Sequence, residues 1–317
     1  MNCTINSSWS ESHQVMLLVF TVPTISIGFV LNGVALCIIW CKIKGWTKPT
    51  IYMTNLIISD ILLLFALPFK IYAYYVGPQW PLHKRFCQLL ESLCFVNTYA
   101  SILLITLICA DRYVAIKHPF LSRAISSPRK TAVICAGIWI FVCTGSIYIY
   151  FSSESSSCFY YLSPGVWRMN FIAPLEILFL ICAFFMMFCS VQIIRRLRVQ
   201  ASETRDRWAD KSTKIILSNL LTFLVCFTPY HTGLLLYSLT TNGFISESYC
   251  EPLRNALHVS LYLANVNCCL DAIYYFYSIK EFCQSNSRHI PNSSTQIAIC
   301  EGIADSSTDP PLSSRSH

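Results

Sequence analysis

Charged side chains are sparse along this chain, and the intervals between them are apolar on consecutive positions. No charge falls between His13 and Lys42, between Glu91 and Asp111, between Lys130 and Glu154, or between Lys214 and Glu247. Three further intervals hold one acid each: Asp60 between Lys48 and Lys70, Glu176 between Arg168 and Arg195, and Asp271 between Arg254 and Lys280. A helix that crosses a bilayer needs about 20 apolar residues. The pattern predicts seven such spans, at 15–40, 50–75, 87–116, 131–151, 169–195, 213–239 and 253–277.

Barrel strands are about 10 residues long and alternate apolar with polar. These runs are much longer and do not alternate, so the prediction is an all-α membrane protein, a seven-transmembrane helix bundle. Residues 1–14 form a short N-terminal segment and 15–277 the bundle. Residues 278–286 form a short amphipathic eighth helix on the membrane surface, and 287–317 a polar, disordered tail. Composition agrees. Only 12% of the 317 residues are charged, 54% are hydrophobic and the mean hydropathy is +0.51. A soluble protein carries about 25% charge. This weighs against a cytosolic enzyme, and no nucleophile-base set or metal spacing marks an enzyme. No internal repeat of the kind found in many transporters is present.

Lysine and arginine set the orientation. With the C-terminus cytoplasmic, 18 of the 23 basic residues lie on the inner side. Lys70, Lys84, Arg85, Arg168 and Arg254 remain outside. The net charge of +7 is therefore a topology signal, and because the basic residues are split among loops no nucleic-acid partner is expected. Asn2-Cys3-Thr4 and Asn6-Ser7-Ser8 are glycosylation acceptors, which suits an extracellular N-terminus. No cleavable signal peptide is predicted, so span one inserts as its own anchor. Plasma membrane is the expected location.

Most of the 17 cysteines lie inside spans, where they read as small apolar packing residues. Cys3, Cys87, Cys158 and Cys250 fall outside, where an oxidising compartment favours pairing. Four cysteines allow three connectivities. Pairing Cys87 with Cys158 would pin the second outer loop over the bundle and leave Cys3 with Cys250.

Asp60 and Asp271 sit in the middle of spans two and seven, with Asn32, Asn55, Asn97, Ser101, Asn265 and Asn267 on other positions of the spans. Ionisable groups in a bilayer mark function by default. Two carboxylates among amides can hold a sodium ion, share a proton, or only join helices by hydrogen bonds. Span three ends in Asp111-Arg112-Tyr113 at the cytoplasmic boundary.

These features together resemble the class A, rhodopsin-like, G-protein-coupled receptors over residues 15–285. The matching residues are Gly28-x-x-x-Asn32, Asn55-Leu56-x-x-x-Asp60, Leu67-Pro68-Phe69, Cys87, Asp111-Arg112-Tyr113, Trp139, Phe223-x-x-x-Phe227-x-Pro229, Asn267 and Asp271-Ala272-Ile273-Tyr274-Tyr275, followed by Lys280-Glu281-Phe282. Three positions depart from the pattern. Ala272 replaces the usual proline of helix seven, Cys182 stands near the usual proline of helix five, and Phe227 stands where a tryptophan is common. Lys70, Glu91, Ser127-Pro128-Arg129-Lys130 and Asn265-Val266-Asn267-Cys268-Cys269-Leu270-Asp271 resemble the branch that responds to lysophosphatidylinositol. A second branch, for kynurenic-type aromatic acids, carries arginine where this chain has Thr98.

The resemblance implies a receptor, not an enzyme, with no cofactor apart from an allosteric sodium ion. It implies Asp60, Asn97, Ser101, Asn267 and Asp271 as the sodium pocket. Asp111, Arg112, Tyr113, Phe227, Pro229, Asp271 and Tyr275 carry activation, with Arg112 held by Asp111 in the resting state and Asp206 or Asp210 as nearby acids. The extracellular ligand is expected to be an anionic lysophospholipid, with a small aromatic carboxylic acid as the alternative. Lys70, Glu91, Tyr99, Arg168, His231, Arg254 and His258 are the expected ligand contacts. Inside the cell the partners are a heterotrimeric G protein of the G-alpha-12/13, Gq or Gi class and arrestin, through phosphorylation of tail residues such as Ser293 and Ser306. Membrane lipids surround the bundle, and Cys283 is a palmitoylation candidate. A membrane transporter is the rival class.

Overall fold

The computed structural model describes residues 11–42, 46–76, 80–125, 127–152, 158–159, 167–204 and 207–289. Cys3, both N-terminal glycosylation candidates, Asp206 and the tail beyond residue 289 lie outside them, as do the side chains of Asp210, Tyr275 and Cys283. The elements are α1 (Glu11–Lys42), α2 (Lys48–Val76), α3 (Lys84–Lys117), α4 (Pro119–Ile125), α5 (Pro128–Ser152), α6 (Met169–Thr204), α7 (Arg207–Thr241) and α8 (Cys250–His289), with a 3-10 turn at Glu247–Tyr249.

Seven of these helices are long and apolar enough to cross a membrane, at Val15–Cys41, Lys48–Val76, Lys84–Lys117, Pro128–Phe151, Met169–Val199, Ile216–Thr241 and Glu247–Tyr274. They match the seven predicted spans. Among the described elements, the short α4, in the loop after α3, and the 3-10 turn at Glu247–Tyr249 were not anticipated.

Local chemistry sets the helix ends. His83 caps α3, its Nδ1 accepting the Arg85 backbone N–H at 3.2 Å. α7 stops at Gly243, whose φ of 80° is left-handed. There the N–H of Phe244 donates to the Leu239 carbonyl and that of Gly243 to the Thr240 carbonyl, the paired closure that glycine permits. Pro229 lies within α7, and α6 carries Pro174 two turns before Cys182. α8 has its one proline, Pro252, in the first turn, where no backbone donor is lost. With Ala272 in place of proline, its hydrogen-bond ladder runs on unbroken. Residues 278–286 are helical, as the uninterrupted continuation of α8 and not as the separate short helix expected.

α3 forms the axis of the bundle, packed on α2, α5 and α6, and α8 closes the ring between α7 and α1. The main core joins Ala35, Leu56, Tyr99, Ile102, Val142, Met186, Phe223 and Phe227 from six helices. α1 approaches α2 closely at Gly28, where an added Cβ would lie 2.7 Å from a Leu64 methyl. Large apolar side chains such as Phe151, Val133, Ile140 and Phe184 face outward. On a soluble protein so much exposed apolar surface would aggregate, whereas on a bundle of this kind it is the lipid face.

Candidate functional site

The polar side chains inside the bundle fall into layers. At the end of α3 that carries Cys87, a Cys87–Cys158 disulfide is present, as predicted. Cys250 is also disulfide-bonded, while its predicted partner Cys3 lies outside the described residues. The Glu91 carboxylate accepts the Phe159 backbone N–H at 2.9 Å, a second clamp on the segment that Cys158 anchors. Glu91 was expected at the ligand, and the geometry gives it this anchoring contact.

Lys70 is only 2% exposed. Its ammonium lies 5.1 Å from the Tyr262 ring centre and 5.9 Å from that of Phe159. Neither ion pair found among the described residues involves it. Tyr74 and His258 close the same region through a 2.9 Å hydrogen bond, and Arg254 is buried nearby on α8. Arg168 does not join this group. It is exposed just before α6, whereas the neighbouring Trp167 is buried.

Deeper in the bundle, Glu176 of α6 meets His231 of α7, with Oε1 and Nδ1 3.1 Å apart. The imidazole stacks on Phe179 at 3.9 Å and presents an edge to Tyr99 at 5.9 Å. His231 Nε2 and the Tyr99 hydroxyl are buried without a hydrogen-bond partner among the described residues. Tyr99 and His231 were expected as ligand contacts. The Glu176–His231 pair was not, since nothing in the residue spacing pairs α6 with α7.

On the other side of Asn97 lies the two-carboxylate layer. Asn97 donates to Asp60 Oδ1 at 3.1 Å and to Ser59 at 3.2 Å, and Asn267 donates to Asp271 Oδ2 at 2.6 Å. Asn32 fastens α1 to α8 by donating to the Cys268 carbonyl at 3.1 Å. Three buried oxygens, Asp60 Oδ2, Ser101 Oγ and Asn267 Oδ1, have no hydrogen-bond partner among the described residues. An all-oxygen set around two carboxylates suits a small hard cation, so the predicted residues fit sodium.

At the far end of α3 the expected pairing is corrected. The Asp111 carboxylate forms an ion pair with Lys48 at the start of α2, not with Arg112. Successive helical residues point about 100° apart, so Asp111 faces α2 while Arg112 faces elsewhere. Another contact was missed. The Tyr274 hydroxyl of α8 bonds Thr222 at 2.6 Å and Ser218 at 2.9 Å, both on α7. The four-residue spacing of Ser218 and Thr222 was the readable signal, because it places both on one helix face. Trp139 donates to Asn55 at 2.7 Å and ties α5 to α2. Phe227 is buried against Phe223, while Pro229 faces outward.

Residues 31–275 match the family described as 7 transmembrane receptor (rhodopsin family). The G-protein coupled receptor 35 of Homo sapiens is 32% identical, with 96% of this chain and 100% of that protein covered. The G-protein coupled receptor 55 of Homo sapiens is 36% identical, with 89% and 91% covered. The lysophosphatidic acid receptor 6 of Gallus gallus is 33% identical, with 86% and 93% covered. The relatives are receptors, not enzymes. Family, fold and motif residues agree that this chain is a multi-pass plasma-membrane protein that belongs to the rhodopsin family of G-protein-coupled receptors.

Proposed function

We propose that this receptor is activated from outside the cell by an anionic amphiphile, a lysophospholipid, whose headgroup is taken by Lys70. The observation that carries the reading is the burial of Lys70 between two aromatic faces. A buried ammonium is costly without a counter-charge, and cation–π contacts offset only part of that cost. A ligand anion supplies the rest. The similar lysophosphatidic acid receptor 6 is named for a ligand of this class. The aromatic surroundings of Lys70 favour a second reading, a small aromatic carboxylic acid bound by the same ammonium.

In this reading the Cys87–Cys158 end is extracellular, the Asp111 end meets the G protein, and the tail recruits arrestin once phosphorylated. Asp60, Asn97, Ser101, Asn267 and Asp271 would hold the sodium ion, whose charge balances the carboxylates of the resting bundle. Ligand affects the equilibrium only through tighter binding to the open state.

The test is Lys70→Ala, assayed with lysophosphatidic acid, lysophosphatidylinositol and small aromatic acids across a panel of G-alpha subunits. Potency is expected to fall roughly 100-fold or more, with surface expression unchanged. Equal potency in variant and wild type would remove the anion site.

A further inference from the structure

The layer below Lys70 carries its own chemical requirement. Lys70 lies level with Glu91, because Phe159 touches both: its backbone binds the Glu91 carboxylate and its ring faces the Lys70 ammonium. Tyr99 is eight residues further along α3, about 12 Å deeper at 1.5 Å per residue. At that depth two buried polar atoms, the Tyr99 hydroxyl and His231 Nε2, lack partners among the described residues. Each stands on a ring at most 2% exposed, and the two ring centres are 5.9 Å apart. An unsatisfied buried polar group is costly, so something must meet these atoms.

We propose that Glu176, His231 and Tyr99 form a deep subsite of the ligand pocket that takes a neutral hydroxyl group, so that the ligand is an anion at one end and an alcohol or phenol at the other. The inference rests on the anion site at Lys70. Glu176 fixes the chemistry. Its carboxylate accepts the His231 Nδ1 proton, so Nε2 is a lone-pair acceptor on the neutral ring and an N–H donor on the protonated one. The Tyr99 hydroxyl donates or accepts. A ligand hydroxyl donates and accepts, so it meets Nε2 in either state and pairs with the Tyr99 hydroxyl as well. An alkyl end leaves both unpaired. A second carboxylate accepts only, so it cannot serve Nε2 on the neutral ring, and it is repelled by Glu176. Phe179, stacked on the imidazole, holds its plane fixed.

The experiment uses the full-length purified receptor and three rigid acids: biphenyl-4-carboxylate, 4′-hydroxybiphenyl-4-carboxylate and biphenyl-4,4′-dicarboxylate. Binding is read from the shift in melting temperature with concentration. The hydroxylated acid is expected to bind about tenfold tighter than its parent, and the diacid no tighter than the parent. Tyr99→Phe and His231→Phe should erase the hydroxyl advantage, so that the hydroxylated acid binds no tighter than its parent. Tyr99→Phe, which removes one oxygen, decides the matter if His231→Phe fails to express. Lys70→Ala should weaken all three acids. Equal binding of the parent and hydroxylated acids to wild type would show that water alone satisfies the two atoms, and would overturn the subsite while leaving the Lys70 reading intact. The subsite is equally overturned if the hydroxyl advantage persists in Tyr99→Phe. If no acid binds, or binding ignores Lys70→Ala, the anion site falls and the subsite with it.

Discussion

Replacing Tyr274 with Phe is expected to raise ligand-free nucleotide exchange on the G protein about tenfold, equivalent to ~1.4 kcal/mol. The Tyr274 hydroxyl bonds two α7 side chains, Thr222 at 2.6 Å and Ser218 at 2.9 Å. Together they tie α8 to the half of α7 that precedes Pro229. Pro229 lacks a backbone N–H, so the α7 ladder is weakened one turn before it and the helix can swing there. Moving that half outward breaks both bonds at once. Each hydrogen bond contributes on the order of 1 kcal/mol net. The loss falls almost wholly on the closed state, because a freed serine or threonine can bond a carbonyl of its own helix. Ser218→Ala combined with Thr222→Val should reproduce the effect. Exchange measured without ligand in matched membranes checks this, and an unchanged basal rate at equal surface expression would show that the contact is not a latch.

Asp60→Asn is expected to abolish the response of the receptor to sodium while preserving its fold. The substitution is nearly isosteric, and its side-chain oxygen still accepts from Asn97, as Asp60 Oδ1 does at 3.1 Å. It removes the charge and replaces the unpartnered Oδ2, the strongest cation donor of the layer, with an amide. In the wild type, exchanging sodium for a bulky organic cation should raise basal exchange, because the closed arrangement loses its counter-charge. The variant should show the same basal rate in both salts. Persistence of a sodium response in Asp60→Asn would place the ion elsewhere.

Much of the molecule was legible from residue order. Seven spans followed from the gaps between charges, since a bilayer excludes charge over the length of a helix whatever the packing. Individual members of each polar layer were also readable. Lys70, Glu91, Asp60, Asn97, Tyr99, His231 and Asp271 stood out as polar groups where apolar ones are the rule. Asp60 with Asn97 and Asp271 with Asn267 were grouped in advance through the family resemblance, but the partners of Glu91, His231 and Asp111 were not. A helix face is fixed by sequence, but its rotation against a neighbour depends on side chains from three or four helices at once. For that reason Glu91 binds a backbone N–H, Arg168 is exposed, and Asp111 pairs with Lys48 of α2 instead of with the adjacent Arg112.

The sequence by itself determined the membrane class, the number of helices and the residues that carry chemistry. These follow from solvation and helical period, which are local properties. Only the tertiary structure decided the pairings: Glu176 with His231, Tyr274 with Ser218 and Thr222, the burial of Lys70 against Tyr262 and Phe159, and the buried Tyr99 hydroxyl and Asp60 Oδ2 that lack hydrogen-bond partners among the described residues. These depend on which faces of distant helices meet, and in a dry interior each polar atom so placed is either satisfied by its neighbour or left for a ligand or ion to satisfy.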